Sequence, residues 1–294
     1  MNRPTFLAAL AAGAALPLRA NGTTAPLVTP ARPFSANLVN LRPGSGRLGI
    51  AAIDLRNGRR LLSSADERFP LASTFKLPLV MDVLTRVDRG QEHLDRHVRF
   101  VASDILAYSP TVGAQPRGGS LTVAELCAAA IEHSDNAAAN LLLRTVGGPA
   151  GVTAYLRGLG DTVTRLDRTE PALNQAVPGD PRDTTTPLAM ATLAERLVRD
   201  PLLSPASKAL LFDWLRRSDT GAARIRAGVP ASWTIGDKTG TTQSGGNDVA
   251  ILWPRHGAPV VLAVYFAEVH ATDAQRDAAI AAVAHEVVRR FRGD

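Results

Sequence analysis

A serine and a lysine three residues apart form the first pair in the sequence that could do chemistry. Ser73 and Lys76 begin a stretch with helical periodicity. At that spacing the two side chains share one helix face, and helical side chains lean toward the N-terminus, so Lys76 leans over Ser73. A neutral amine there could take the hydroxyl proton and make the serine a nucleophile. Unpaired N–H groups at the helix start would favour the anion that forms.

The composition favours this function over a purely structural role. Among 33 lysines and arginines, only three residues are lysine: Lys76, Lys208 and Lys238. A lysine in a chain that otherwise uses arginine indicates a need for an amine that can lose its proton, which arginine cannot do. The structural alternative is a capping serine followed by an exposed lysine.

Two further motifs carry polar groups suited to catalysis or binding. Ser134-Asp135-Asn136 falls between two helical patterns and offers a hydroxyl for proton relay and an amide that donates and accepts. Its structural alternative is a capping turn. Lys238-Thr239-Gly240-Thr241 ends a strand pattern and offers a cation and hydroxyls to a substrate carboxylate. The alternative there is a lysine that protects an edge strand from aggregation.

The elements that must position these motifs follow from periodicity and turn signals. Strand patterns cover residues 48–55, 60–64, 232–238, 247–253 and 259–268, and Asn57-Gly58 marks a hairpin between the first two. Helical patterns cover residues 73–88, 122–132, 136–146, 151–159, 186–199, 204–217 and 272–291. We therefore predict an α+β fold, in which the two chain ends form one antiparallel sheet flanked by terminal helices. Residues 26–70 and 218–294 would form this α/β lobe, and residues 71–217 an inserted all-α lobe.

Length and charge narrow the class of protein. The chain has 294 residues, 45% of them apolar, and a formal charge of +6 carried by arginines spread along it. It contains no long basic run and few aromatic residues, which gives little support for nucleic-acid binding. The six histidines show no metal-ligand spacing. Cys127 is the only cysteine, so no internal disulfide is expected.

The first 25 residues predict a secretory signal peptide, with a short basic head and an apolar run over residues 6–18. Either Ala20 or Ala25 could end it, and the alternative is an ordinary amphipathic N-terminus. The run is too short to act as a membrane anchor. The mature protein is therefore expected to be exported, to the periplasm or the medium.

Together and in this order, the three motifs resemble those of a class A serine β-lactamase. The resemblance extends from about Leu48 to Phe291 and includes Gly147-Gly148-Pro149 and residues 183–187. It implies that the protein hydrolyses the β-lactam ring of penicillins and cephalosporins through a serine acyl-enzyme, and so confers resistance. The mechanism that it implies needs no metal or cofactor. A monomer is the default expectation for the oligomeric state.

The same resemblance assigns a role to the segment from Arg168 to Asn174. Glu170 would be the general base that drives water onto the acyl-enzyme, with Asn174 as a second holder of that water. Arg168 would pair with Asp183, and the Glu170-Pro171 bond is a candidate cis peptide. The structural alternative is a charged surface loop.

Further roles follow from the resemblance. Ser134 would pass a proton to the departing ring nitrogen, and either Lys76 or Glu170 acting through water would be the base for acylation. The residues expected to bind substrate are Asn136 for the acylamide, Tyr108 as an aromatic wall, and Arg224, Lys238, Thr239 and Thr241 for the carboxylate. Thr220 and Thr241 also resemble carbapenem-hydrolysing relatives, so carbapenem hydrolysis is a further hypothesis.

Two other functions share part of this pattern. A D-alanyl-D-alanine peptidase would carry the first three motifs but should lack the arrangement around Glu170. A receptor that senses β-lactams by acylation would normally need a membrane segment or signalling domain, and no run of 18 apolar residues follows the leader.

Overall fold

The computed structural model describes Met1 and residues 32–33, 46–116 and 118–292. Apart from Met1, the predicted signal peptide lies outside these residues. Among the helices of the described residues, none has the length and apolar character needed to cross a membrane.

The two ends of the chain build one sheet, as the sequence predicts. The strands of the described residues are β1 (Arg32–Pro33), β2 (Arg47–Asp54), β3 (Arg60–Ser63), β4 (Phe69–Pro70), β5 (His97–Arg99), β6 (Ser120–Thr122), β7 (Thr184–Thr185), β8 (Thr234–Thr242), β9 (Gly245–Trp253) and β10 (Val260–Ala267). Six of them form the main sheet in the order β1-β3-β2-β10-β9-β8. Its neighbours run antiparallel except for β1 and β3. The predicted hairpin joins β2 to β3, and Gly58 in its turn has φ 74°.

Helices cover both faces of this sheet. The helices of the described residues are α1 (Lys76–Asp88), α2 (Val123–Glu132), α3 (Asn136–Thr145), α4 (Gly148–Gly158), α5 (Pro187–Arg199), α6 (Pro205–Arg216) and α7 (Asp273–Arg292), of which α5, α6 and α7 pack on the sheet. Strand β10 is buried throughout, because its alternate side chains point to opposite faces and both faces are covered. Leu262 and Val264 pack with α7, whereas Val261 and Ala263 belong to the larger core that the other helices share. The predicted α+β architecture is therefore confirmed.

Side-chain caps set several helix starts. Thr122, Asp135, Thr186 and Ser204 each accept a hydrogen bond from the backbone N–H three residues on. Helix α4 begins at Gly148, three residues before its predicted start, because Gly147 adopts φ 89° and Pro149 suits the first turn.

Two short strand pairs were not predicted. β4 pairs with β7, and β5 with β6, each over two or three residues, which is too short for a periodic pattern. Strand β8 also extends beyond its predicted end at Lys238, since it continues to Thr242. The added residues are polar or glycine and carry no apolar alternation, and β8 is an edge strand of the sheet.

The division into two lobes remains a prediction. Helix α5, assigned to the all-α lobe, packs against β2 and β10 of the sheet. The described fold therefore joins the two predicted lobes through an extensive shared core.

Candidate active site

Ser73 lies on a short 3-10 helix, Ala72–Phe75, which leads directly into α1 at Lys76. The sequence predicted one helix from Ser73, and the first turn is instead the tighter 3-10 form. The neighbouring Thr74 anchors this turn, since its Oγ1 donates to Leu71 O at 2.6 Å and lies 3.0 Å from Tyr265 Oη on β10. Ser73 is thus held against the sheet.

Strand β8 passes close to the Ser73 turn, and Gly240 permits that approach. A Cβ at Gly240 would lie 3.0 Å from Leu71 O and 3.2 Å from Ala72 Cβ. Asn247 on β9 adds a hydrogen bond from Nδ2 to Pro70 O at 2.8 Å. The glycine of the third motif is therefore explained by packing against the first.

Lys76 connects the first two motifs. Its Nζ lies 3.0 Å from Ser73 Oγ, 3.3 Å from Ser134 Oγ and 2.6 Å from Asn136 Oδ1. It also donates to Ser134 O at 2.7 Å and lies 3.4 Å from Glu170 Oε1. The side chain is fully buried, and burial lowers the pKa of Lys76 to about 8, although the Glu170 carboxylate opposes that shift. An amine with this pKa can both accept and release a proton near neutral pH.

Ser134 is presented by the turn between α2 and α3. It adopts φ 55°, and the next residue, Asp135, caps α3 by accepting from Ala138 N at 2.8 Å. Asp135 Oδ2 also accepts from Thr111 N and Val112 N, both at 2.9 Å. The capping alternative is thus correct for Asp135, while the side chains on either side of it meet Lys76.

Lys238 approaches Ser134 from the sheet. Its Nζ lies 3.0 Å from Ser134 Oγ and 2.9 Å from Thr239 O. Burial, followed by the charge of Lys76, lowers the pKa of Lys238 to about 7. The hydroxyl of Thr239 lies 2.6 Å from that of Thr220. From the sequence, Thr220 was considered only in the hypothesis of carbapenem hydrolysis.

Glu170 lies beside Lys76 and is fully buried. Asn174 Nδ2 donates to Glu170 Oε2 at 2.5 Å, and the Glu170-Pro171 peptide is cis, as expected. A residue that the sequence analysis missed, Asn140, holds the backbone of Glu170 at both groups: Glu170 N donates to Asn140 Oδ1 at 3.0 Å, and Asn140 Nδ2 donates to Glu170 O at 2.9 Å. Its position four residues after Asn136 on α3 was an available signal.

The loop that carries Glu170 is closed by the predicted pair of Arg168 and Asp183. Arg168 Nε lies 2.5 Å from Asp183 Oδ2. Asp183 Oδ1 also accepts from Asp167 N at 2.8 Å and from Arg168 N at 2.9 Å. Asp183 is buried, so the carboxylate joins the two ends of the loop from inside the protein.

Arg224 is almost fully engaged by protein groups. Nε donates to Asp277 Oδ1 at 2.7 Å, and Nη2 donates to Thr241 Oγ1 at 2.8 Å. Nη1 donates to Gly240 O and Asn247 O, both at 2.9 Å. Arg224 therefore fixes the end of β8 next to Thr241, and its partner on α7, Asp277, was not found from the sequence.

A cleft of about 670 Å³ contains most of the predicted residues. Its lining residues comprise Ser73, Tyr108, Ser134, Asn136, Asn174, Asp219, Thr220, Arg224, Thr239, Gly240 and Thr241. The Tyr108 side chain is exposed at this cleft, while Lys76, Lys238 and Glu170 are buried beneath its surface. A buried amine between two serine hydroxyls, with a carboxylate beside it, is the site of a serine enzyme that works through a covalent intermediate.

Comparisons with known proteins identify the family. The model of the β-lactamase enzyme family matches residues 34–291. A class A β-lactamase of the last common ancestor of Gram-negative bacteria is 52% identical, with a TM-score of 0.85 over 87% of this chain and 98% of that one. A protein from Rhodopseudomonas palustris assigned to the class A β-lactamases is 49% identical, with a TM-score of 0.83 over 86% of this chain and 98% of that one. The chain belongs to the β-lactamase family, in its class A, and is a serine β-lactam hydrolase.

Proposed function

We propose that this protein hydrolyses the amide bond of penicillins and cephalosporins through an acyl-enzyme on Ser73, and so confers resistance to them. The observation that carries this proposal is the position of Lys76 Nζ. It lies 3.0 Å from Ser73 Oγ, 3.3 Å from Ser134 Oγ and 3.4 Å from Glu170 Oε1. One buried amine thus contacts a nucleophile, a proton relay and a base.

Acylation begins when Ser73 Oγ attacks the ring carbonyl and loses its proton. Lys76 contacts that hydroxyl directly and, with a pKa near 8, is unprotonated in part of the molecules at neutral pH. Glu170 acting through a water molecule is the second route for this proton. Backbone N–H groups of Ser73 and Thr241 would stabilise the oxyanion, a contribution of about 2.7–4 kcal/mol for one donor in another hydrolase.

Ring opening requires a proton on the departing nitrogen. Ser134 Oγ is placed to deliver it, because it contacts the Nζ atoms of both Lys76 and Lys238. A proton taken from Ser73 by Lys76 can therefore reach the nitrogen through Ser134 in two short steps. The leaving nitrogen stays tethered to the acyl group, so water must remove the product in a separate step.

Deacylation is assigned to Glu170 and Asn174. Asn174 Oδ1 is a buried acceptor without a hydrogen-bond donor among the described residues, and the nearest donor to the buried Glu170 Oε1 is the Lys76 amine, 3.4 Å away. Two such acceptors match the two protons of one water molecule. Glu170 would take a proton from this water as it attacks the acyl carbon.

Substrate binding is divided between two ends of the cleft. Lys238, Thr239 and Thr241 would hold the β-lactam carboxylate, and Asn136 the acylamide. Arg224 supports the carboxylate end, since it donates to Thr241 Oγ1 at 2.8 Å while adding its positive charge. Tyr108 would form one wall of the entrance.

Glu170 supports hydrolysis over the two alternatives, a peptidase or a sensor that stays acylated. Its contacts with Asn174 and Lys76 provide a base for the second step. The direct test is turnover of a chromogenic cephalosporin by the purified protein, with Ser73→Ala as control. Many turnovers per molecule that vanish in the variant support the proposal, whereas no turnover by the native protein rejects it.

We further propose that the mature protein is an exported monomer that does not bind nucleic acid. The signal-like sequence of the first 25 residues supports export, and the spread of arginines without a long basic run supports the lack of nucleic-acid binding. The monomer is the default expectation. N-terminal sequencing of the exported protein would give the cleavage site.

A further inference from the structure

One acidic residue that lines the cleft has no role in the proposed mechanism. Asp219 lies in the same cleft as Ser73 and Tyr108, and its side chain is 59% exposed. Among the described residues that line this cleft, it is the one carboxylate. Its negative charge would therefore attract a positive group, and repel a negative group, on the part of a substrate that lies next to it.

The Asp219 carboxylate is held in a defined position. Its backbone N–H donates to Glu132 O at 3.0 Å, and its Oδ2 lies 2.7 Å from His133 Nδ1. His133 directly precedes Ser134, and Asp219 directly precedes Thr220. The contact thus joins the two segments that carry Ser134 and Thr220 at one side of the cleft.

This side of the cleft is the carboxylate end. Thr220 Oγ1 lies 2.6 Å from Thr239 Oγ1, and Thr239 belongs to the group proposed to hold the substrate carboxylate. In a cephalosporin the ring carbon C4 carries the carboxylate, and the variable substituent is attached to the adjacent carbon, C3. With the carboxylate at Thr239, the C3 substituent would lie on the Asp219 side, away from the acylamide.

Tyr108 faces the same space. The residue is 53% exposed, and burial followed by the charge of Asp219 raises the pKa of its phenol. An aromatic face next to a carboxylate is a combination that attracts a quaternary or heteroaromatic cation.

We propose that Asp219, with Tyr108, selects cephalosporins that carry a positive charge on the C3 substituent. This selectivity rests on the proposed hydrolytic function and concerns a part of the substrate that the catalytic groups do not touch. Arg217 does not neutralise Asp219, because it already pairs with two other carboxylates, Glu132 at 2.6 Å and Asp213 at 2.5 Å. The titratable group in direct contact with Asp219 is His133, at 2.7 Å.

The test compares three cephalosporins with one acylamide and a neutral, cationic or anionic C3 substituent. For each, kcat/KM is measured with the native protein and with Asp219→Asn, which removes the charge and keeps the shape. We expect the cationic-to-neutral ratio of kcat/KM to fall about three- to tenfold in the variant, the size of one charge at several ångströms in a wet cleft. The anionic-to-neutral ratio should rise by a similar factor, and both changes should shrink at about 1 M salt.

Asp213→Asn is the matched control. Asp213 carries the same charge on a nearby segment, pairs with Arg217 and does not line the cleft, so both ratios should stay at native values. Tyr108→Leu should lower the cationic-to-neutral ratio about two- to fivefold through loss of the aromatic face.

Unchanged ratios in Asp219→Asn would overturn the selectivity while leaving hydrolysis intact. The same would follow if Asp213→Asn changed the ratios equally, since the effect would then be a general one of surface charge. Failure of the proposed function would look different, because the native protein would turn over none of the three compounds.

Discussion

Lys76 and Lys238 share one hydroxyl, with their Nζ atoms 3.3 and 3.0 Å from Ser134 Oγ. Both side chains are fully buried, and burial lowers their pKa values to about 8 and about 7. The charge of Lys76 lowers the pKa of Lys238 further, because two ammonium groups so close repel each other. A bound anionic substrate would oppose both effects, because a negative charge stabilises the protonated amine.

Substrate binding should take up a proton at Lys238. Near pH 8 most Lys238 amines are neutral, because their pKa is about 7. A bound carboxylate raises that pKa, so protons are taken up above pH 7, whereas near pH 5.5 the amine is already charged in both states. Calorimetry of cephalosporin binding to Ser73→Ala, in buffers of different ionisation enthalpy, measures the uptake directly.

The control for this uptake is Lys238→Arg in the same Ser73→Ala background. Arginine stays charged with and without substrate, so the proton uptake that comes from Lys238 should disappear, and any remainder near pH 8 would come from Lys76, whose pKa is about 8. Binding heats that do not depend on the buffer in the Lys238 protein would show that this amine is already charged before substrate arrives.

Asn140→Ala should impair deacylation more than acylation. The variant removes both hydrogen bonds to the Glu170 backbone, at 3.0 and 2.9 Å, and so loosens the position of the Glu170 carboxylate without removing that group. We expect stability to fall by about 1–3 kcal/mol and steady-state turnover to fall by up to about 100-fold, as small misplacements of catalytic groups do. Mass spectrometry during turnover should find acyl-enzyme that the native protein does not accumulate. Equal loss of the acylation rate would contradict this positioning role.

Arg168→Ala should destabilise the loop that carries Glu170. Asp183 is buried and would lose its charged partner at 2.5 Å, a change that costs about 3 kcal/mol. We expect a lower Tm and faster proteolysis of this loop. Arg182→Ala is the control in the same segment, because Arg182 and Asp180 form a pair at the surface. Its Tm should match that of the native protein. Equal effects of the two variants would show that the pair of Arg168 and Asp183 does not hold the loop closed.

The sequence predicts the motif residues well because each motif is local. Ser73 and Lys76 are three residues apart on a helical stretch, and Asp135 lies at the junction of two helical patterns. The Asn57-Gly58 hairpin is likewise local, and β2 and β3 form as expected. Spacing and turn chemistry are enough in these cases.

What the sequence could not supply are contacts between distant segments. Asp277 meets Arg224 from α7, 53 residues away, and Asp219 meets His133 across 86 residues. No local pattern marks either acid, since both are ordinary surface residue types. The sequence also did not reveal that β8 continues through Thr241. The added residues line the cleft, so they lack the alternation of apolar and polar residues that marks a strand.

The most direct test of hydrolysis through an acyl-enzyme is the time course of Glu170→Ala with excess chromogenic cephalosporin. The variant retains Ser73 and Lys76, whose side chains lie 3.0 Å apart in the native protein, so acylation should still occur while the base for water is gone. We expect sustained turnover by the native protein and a single stoichiometric burst by the variant, with the adduct on Ser73. A native protein that itself stops after one burst, or a variant that turns over at the native rate, would contradict the role of Glu170.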